Sequence, residues 1–463
     1  MIYSITSDIH SSIFHAYDIR GIVGEHLSAN IVYTLGLTLG TEIQKLNETH
    51  MVVARDGRLS SPELCEALSA GLLASGCHVV DIGLVATPVL YFATHNLPYH
   101  SGVMLTGSHN AANYNGLKIV LAGETLAGDA IQKIYQLSLK QDFIYGQGKY
   151  EIFNIIPNYL AAIKKNVLLK RPLKIVVDCG SGATSHIAPQ LFRLLGCDVV
   201  ELFCQLDGHF PHHHPDPSMP ENMKDLINRV TLEKADLGLA FDGDGDRLGV
   251  VSNSGEIIWP DRLLMLFARD VISRHPHGLI IFDVKCSNLL AKVIKADGAE
   301  PLMWKTGHSY IKAKLRETGA ILAGEMSGHF FFKENWYGFD DGMYAGARFL
   351  QIIARHGKSV DEIFKTFPNG INTPEIRLPI DNYYKFELMK MLKLKAKFEN
   401  AHLNFIDGIR VEFIDGWGLV RPSNTSPFLI FRFEANNREN LARIQQLFRE
   451  QLLAVDKNLQ LPF

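Results

Sequence analysis

One arrangement recurs three times along the chain: a strand-like apolar run, a turn, an amphipathic stretch, and a second apolar run. "MVVARDGRLSSPELCEALSAGLLASGCHVVDIG" begins with Val52 and Val53 and returns to a strand at Val79-Val80. Pro62 stands near its helix start behind the cap candidates Ser60 and Ser61, and Gly76 closes the helix. "LKIVVDCGSGATSHIAPQLFRLLGCDVVELF" repeats the plan from Lys174, and "GLIIFDVKCSNLLAKVIKADGAEPLMW" gives it again from Leu279. Each is a strand–helix–strand unit of about 30 residues, the element from which parallel α/β sheets are built. Three such units predict three similar α/β domains in tandem.

Beyond about Pro368 the pattern changes. "TPEIRLPID", "GIRVEFIDGWGLVRPS" and "PFLIFRFEA" alternate as antiparallel strands do, and "NRENLARIQQLFREQLLAVDK" has the apolar stripe of an amphipathic helix. A smaller α+β domain is therefore expected at the C-terminal end. With 463 residues, the chain exceeds one ordinary domain. The divisions predicted are 1–152, 153–256, 257–368 and 369–463.

Composition narrows the partners. The formal charge is −3, from 46 basic and 49 acidic residues, which argues against bulk attraction to nucleic acid or an anionic membrane. Neither is expected as a partner. Met1 to His10 includes Asp8 and lacks a basic-then-apolar leader, and no apolar run approaches the ~18 residues of a membrane span. Six cysteines at irregular spacing, without a CxxC pair, read as reduced thiols, so a cytoplasmic protein is expected. Nothing in the sequence demands more than a monomer.

Four polar constellations carry chemistry. In "FDGDGDRLGVV", Asp242, Asp244 and Asp246 alternate with Gly243 and Gly245, so three carboxylates can fold around one hard cation such as Mg²⁺ or Ca²⁺. The calcium-loop pattern would need a glutamate at its twelfth position, which is Asn253. Arg247 follows the triad, where it can meet a phosphate. "RPSNTSP" offers Arg421, Ser423, Asn424 and Thr425 as a phosphate cradle, against the bland reading of a Pro- and Ser-rich turn. In "GEMSGHFFF", Glu325, Ser327 and His329 alternate, and in an extended segment they would face one way and grip sugar hydroxyls. The alternative is a polar edge strand. A Ser-His-Glu hydrolase is disfavoured, because this spacing does not build the relay and no G-x-S-x-G elbow is present. The fourth stretch, "TGSHNAANYNG", holds Ser108, His109 and Asn110 after an apolar run, with Lys118 a short strand away. A serine that carries a phosphoryl group needs a cation and in-line donors rather than a strong base. Lys285 ("FDVKCS") and His308 ("GHSYIK") complete the candidates as contacts for an anionic substrate. The tract His209, His212, His213 and His214 is broken by prolines and reads as a loop rather than a metal site.

Together "TGSHN", "DGDGDR", "GEMSGH" and "RPSNTSP", in this order along the whole chain, resemble the α-D-phosphohexomutase family, and most closely its bacterial phosphomannomutase/phosphoglucomutase branch. "AYDIRG" matches a further family segment and adds Tyr17 and Arg20. The resemblance implies three α/β domains with mixed sheets and a smaller α+β domain around a central cleft, each lending one loop. It implies that Ser108 is a phosphoserine and that Asp242, Asp244 and Asp246, with a phosphoserine oxygen, hold Mg²⁺. Arg247 lies by that phosphate, with His109 as a positioning group. Glu325, Ser327 and His329 read the sugar; Arg421, Ser423, Asn424 and Thr425 clamp the non-reacting phosphate; Lys118 and His329 move protons with help from Arg20. The implied reaction interconverts mannose or glucose 1- and 6-phosphates through a hexose 1,6-bisphosphate. Two other readings stay open: a phosphoglucosamine mutase, or a Mg²⁺-dependent sugar phosphatase or sugar-phosphate-binding protein.

Overall fold

The computed structural model describes residues 3–424 and 426–463; Thr425, a predicted phosphate ligand, lies outside them. The strand–helix–strand signals become three mixed sheets in series, followed by an antiparallel one, so the chain is α/β with a smaller C-terminal α+β unit. In the first sheet His50–Arg55 pairs in parallel with His78–Leu84 and with Gly102–Leu105, and Tyr114–Leu121 returns antiparallel to Gly102–Leu105. The second pairs Lys174–Asp178 in parallel with Asp198–Leu202 and Leu237–Phe241, and Leu248–Ser252 returns antiparallel. The third pairs Leu279–Asp283 in parallel with Glu300–Trp304 and Leu322–Gly324, and Phe330–Phe332 returns antiparallel.

This common plan decides where chemistry can sit. In each of the three sheets the last parallel strand turns directly into an antiparallel neighbour. The predicted loops at 106–113, 242–247 and 325–329 are those three turns. They lie at the carboxyl ends of parallel strands, where open α/β sheets bind ligands. The fourth predicted loop is also a hairpin turn, between Gly416–Pro422 and Phe428–Ala435.

Local details depart from expectation in three places. Ser60 occupies the cap position of the helix Ser61–Ala74, but neither named serine caps it by its side chain. Ser61 Oγ donates to Asp56 at 2.6 Å, and Ser60 Oγ accepts from Asn115 at 2.9 Å. The short strand Ile257–Ile258 pairs with Val250 and Val251 and so belongs to the second sheet, beyond the division expected after 256. The segment 325–329 is a turn instead of a continued strand: Glu325 N donates to His329 O, and Gly328 takes φ +97°, a conformation that favours glycine.

One buried apolar cluster runs through the first three units, joining Val52 and Phe92 to Ile175, Phe192 and Phe241 and on to Phe267, Phe330 and Phe349. The fourth unit has its own cluster around Leu388, Val411, Phe431 and Phe448. Its apolar contact with the third unit is narrow, built from Val284, Trp417 and Leu419 with Met303 and Ile406 packed against them.

Candidate active site

The loop around Ser108 is built from its backbone outward. Arg58, fully buried, donates to the carbonyls of Ser108 (2.7 Å), Asn110 (2.7 Å) and Tyr114 (3.0 Å), and also to that of Ala111. Asp56 holds the guanidinium from behind, Nε to Oδ2 at 3.2 Å. A Cβ on Gly107 would lie 2.5 Å from the Arg58 carbon, so only glycine lets the loop wrap this cation. Ser108 itself has φ +50°, a left-handed conformation that costs a serine on the order of 1–2 kcal/mol. Thr106 Oγ1 accepts from its N–H at 2.7 Å and, with Arg58, holds it there.

The acidic loop reaches across to meet it. Ser108 Oγ donates to Asp242 Oδ2 at 3.2 Å and lies 3.2 Å from His109 Nδ1. A Cβ on Gly243 would sit 2.5 Å from Ser108 O, so glycine is also what permits the two loops to touch. Thr87, at the start of the helix Thr87–Asn96 from the first unit, donates to Asp244 Oδ2 at 2.6 Å. Lys118 donates to the same oxygen at 2.7 Å and to Asp246. All three aspartates are buried, and ligand atoms of the three lie within 4.8 Å of one another.

Charge explains what this group can hold. Burial and the two neighbouring carboxylates push Asp242 well above the usual range for an aspartate. Burial alone would raise Asp246 as well, but Lys118 and His329 outweigh it and hold Asp246 well below that range. Asp244 Oδ1 is buried without a hydrogen-bond partner. Three buried carboxylates with ligand atoms this close, one of their oxygens unpartnered, form a donor set that fits a hard divalent cation.

The sugar-reading residues cluster through their turn rather than through strand alternation. Ser327 Oγ lies 2.9 Å and Glu325 Oε2 3.3 Å from His329 Nδ1, while His329 Nε2 faces Asp246 Oδ1 at 3.2 Å. Serine and acid therefore meet the same ring nitrogen, which is no hydrolase relay. Burial would depress His329, but Asp246 and Glu325 raise it to about 9. Glu325 Oε1 also accepts from Gly307 N at 2.5 Å. His308 follows at the start of the helix His308–Thr318, with Tyr17 edge-on to its ring at 5.1 Å. Backbone pairing of Arg247 with His329 ties the second loop to the third. Arg247 faces Asp216 at 3.6 Å and Asp242 at 3.7 Å. Arg20 binds Asp18 and Asn110.

These loops surround a cleft of about 390 Å³. Tyr17, Arg20, Ser108, His109, Lys118, Arg247, Lys285, His308, Glu325, Ser327, His329, Arg421, Ser423 and Asn424 all line it, and the three buried aspartates lie against Ser108, Lys118 and His329 of that lining. Arg421 Nε is held by Asp407 at 3.0 Å, and Lys285 by Glu375 at 3.1 Å. Sequence reasoning missed Asp216, Glu375 and Arg377 in the lining, and Arg58 behind it. Arg58 stands in the quoted stretch "ARDGRLSS", whose charged triplet after a strand was the available signal. The histidine tract is absorbed locally: His213 pairs with Asp178 at 3.1 Å and His212 stacks on Phe203 at 4.0 Å. Pro215 O, just beyond it, accepts from Gly243 N of the acidic loop.

Comparison with known proteins agrees with this four-unit fold. Residues 11–145, 157–255 and 259–370 match the phosphoglucomutase/phosphomannomutase alpha/beta/alpha domains I, II and III, and 375–451 matches the C-terminal domain. The chain belongs to the phosphoglucomutase/phosphomannomutase family. It is 53% identical over 453 residues, 98% of each chain, to a phosphomannomutase/phosphoglucomutase of Pseudomonas aeruginosa. A phosphoglucomutase of Neisseria meningitidis is 48% identical over 447 residues, covering 96% of this chain and 97% of that one. A phosphoglucomutase/phosphomannomutase family protein of Burkholderia thailandensis superposes with a TM-score of 0.94 at 50% identity, covering 98% of this chain and all of that one. Family members are phosphotransferase isomerases. No helix among the described residues is long and apolar enough to cross a membrane.

Proposed function

We propose that the chain interconverts hexose 1-phosphates and 6-phosphates of mannose and glucose, with Ser108 carrying the transferred phosphoryl group. The observation that carries this reading is the meeting of Ser108 Oγ with Asp242 at 3.2 Å, across loops from two units, beside a cleft lined by loops from all four. Phospho-Ser108 gives its phosphoryl group to the free hydroxyl of the bound sugar phosphate. The hexose 1,6-bisphosphate turns end for end, and its other phosphate returns to Ser108. Asp242, Asp244 and Asp246, with an oxygen of phosphorylated Ser108, would hold Mg²⁺, which when bound neutralises charge on the transferring group.

The chain's own residues do the rest. Arg58 and Thr106 fix the serine, so little reorganisation remains at the moment of transfer. Arg247, balanced between Asp216 and Asp242, supplies a forked cation beside the reacting serine. His109 is held neutral, chiefly by burial, and acts as a positioning group. Glu325, Ser327 and His329 meet the sugar hydroxyls, and Tyr17 and His308 close the wall beside them. Arg421, Ser423 and Asn424, together with Thr425 and Lys285, clamp the phosphate that is not reacting. Lys118 and His329, both against the acidic loop, are the groups placed to move protons, with Arg20 assisting.

Intact-mass measurement after exposure to glucose 1,6-bisphosphate tests the reading. The wild type is expected to gain one phosphoryl group and Ser108→Ala none. A wild type that never carries phosphate, or that steadily releases inorganic phosphate instead of isomerising, overturns it. Turnover of mannose, glucose and glucosamine 1-phosphates side by side decides the substrate, and a marked preference for the glucosamine ester would displace mannose and glucose.

A further inference from the structure

Two of the cations proposed for the phosphate clamp are each held by a carboxylate, and the two carboxylates differ in position. Asp407 holds Arg421 and also accepts from Thr306 N at 3.0 Å, yet it does not line the cleft. It backs the arginine from behind. Glu375 does line the cleft. It is half-buried, on the stretch between the strands Ile371–Asn372 and Ile376–Pro379, where the chain enters the fourth unit. One of its oxygens meets Lys285 of the third unit at 3.1 Å, and the other meets Arg377 of the fourth at 3.1 Å, also in the cleft wall. A carboxylate that receives one cation on each oxygen, inside a cleft built for phosphorylated sugars, occupies the electrostatic place of a phosphate.

We propose that Glu375 is an internal competitor for the phosphate clamp, a specificity-setting carboxylate that substrate phosphate must displace from Lys285 and that retakes Lys285 when the phosphate leaves. The proposal rests on the reading of Lys285 and Arg421 as phosphate ligands. Its chemical logic comes from the reorientation step. A bisphosphate that must turn within the cleft has to let go of the clamp, and a cation stripped of any anion in a desolvated wall would resist that. Glu375 supplies the replacement anion from the same wall. It therefore weakens ground-state binding and speeds release, which raises kcat at the expense of KM. The charges support this. Burial opposes ionisation of both partners, but Lys285 and Arg377 hold Glu375 down to about 2, and Glu375 and Asp283 raise Lys285 above its usual value. The pair stays charged throughout the pH range in which a phosphate ester is an anion.

The test uses the full chain and the isosteric substitution Glu375→Gln. Titration calorimetry with glucose 1-phosphate and glucose 1,6-bisphosphate, in a Ser108→Ala background that blocks turnover, is expected to show Kd falling about three- to fivefold. In otherwise wild-type enzyme the same substitution should lower KM and kcat together. An unchanged or raised Kd, or a raised KM with kcat intact, overturns the proposal and makes Glu375 a structural tie or a direct sugar ligand. Lys285→Met separates the two levels of the argument. It should weaken glucose 1-phosphate binding about tenfold or more and abolish the effect of Glu375→Gln. Weakening by Lys285→Met without tightening by Glu375→Gln sinks the competitor alone. No weakening by Lys285→Met sinks the clamp assignment of Lys285 and the competitor with it.

Discussion

The first three units and the fourth are attached to their neighbours by different physics. Units one to three share a single apolar cluster that crosses every boundary between them. The fourth meets the third mainly through arginines. Arg410 donates to the carbonyls of Val284 and Cys286 and to Asn288, and its guanidinium stacks on Trp417 at 3.7 Å. Arg432 donates to Lys285 O and to Asp261 at 3.1 Å. Thr306 N donates to Asp407. An apolar weld loses its stabilisation in proportion to the area opened, whereas a polar seam can exchange its partners for water. Serine, metal loop and sugar loop therefore sit on the welded part, where positions must be held. The phosphate loop sits on the part that can shift.

The weld should give the largest effect. Phe92, on the helix Thr87–Asn96 of the first unit, packs against Tyr159 at 5.4 Å and Trp336 at 5.8 Å. Phe92→Ala is expected to cost about 3–5 kcal/mol of stability. Urea unfolding measures this, and a loss under about 1 kcal/mol would mean that the boundary between the first and third units is no weld.

The seam comes next. Arg410→Met keeps apolar volume over Trp417 but strands two carbonyls, at a cost of about 2–3 kcal/mol. Because the fourth unit has a core of its own, the expected signature is a separation of its unfolding from that of the rest. Calorimetry should show two transitions, and limited proteolysis should cut between residues 368 and 375. A single unfolding transition that merely moves down would show that the fourth unit is as firmly joined as the other three.

The metal loop should respond to substitution without disturbing the weld. Asp242→Asn replaces a carboxylate that burial and its neighbours already push toward the neutral form, so the fold should scarcely change. Affinity for Mg²⁺ should fall about 10- to 100-fold, while binding of glucose 1-phosphate stays. Titration of activity against Mg²⁺, beside calorimetry with the sugar phosphate, checks both halves. An unchanged Mg²⁺ dependence would remove Asp242 from the metal set.

What the sequence disclosed follows the same division between local and distant causes. The loops 106–116, 242–247 and 325–329 were legible because each packs its chemistry into a few consecutive residues after an apolar run. The repeated strand–helix–strand plan was legible for the same reason. The extended reading of 325–329 failed because Gly328 turns the chain; the three side chains meet all the same, around one imidazole nitrogen. Arg58 was not singled out although it stands in a charged turn, and Asp216 and Glu375 are lone charges beside prolines. Their importance arises only from residues 50, 31 and 90 positions away: Ser108, Arg247 and Lys285. The helix Gly342–His356 shows the same limit. It follows the third sheet, yet Gly346 lies beside Phe192 and Leu239 of the second unit, a crossing that periodicity does not record.

Acid offers the finest comparison of weld and seam. Within the third unit Asp270 is buried and meets Arg274 at 2.8 Å and Arg348 at 3.2 Å, as well as Arg355. Burial alone would raise its pKa, but Arg274 and Arg355 hold it down to about 2. A carboxyl depressed in the folded state contributes its full stability above its ordinary value near 3.8. That contribution is lost as pH falls from there through about 2. It amounts to about 2 kcal/mol. Asp270→Asn should therefore destabilise the protein at pH 7 and flatten the acid limb of a stability–pH curve between about pH 4 and 2. Arg410 at the seam binds two carbonyl oxygens, which do not titrate, and one partly exposed carboxylate, Glu412 at 3.1 Å, so Arg410→Met should mainly shift the curve and flatten that limb less than Asp270→Asn does. If Asp270→Asn leaves the limb as steep as before, the ion cluster is not what acid dissolves. If Arg410→Met flattens it as much as Asp270→Asn does, the seam depends on its carboxylates, Glu412 among them, as heavily as the weld does.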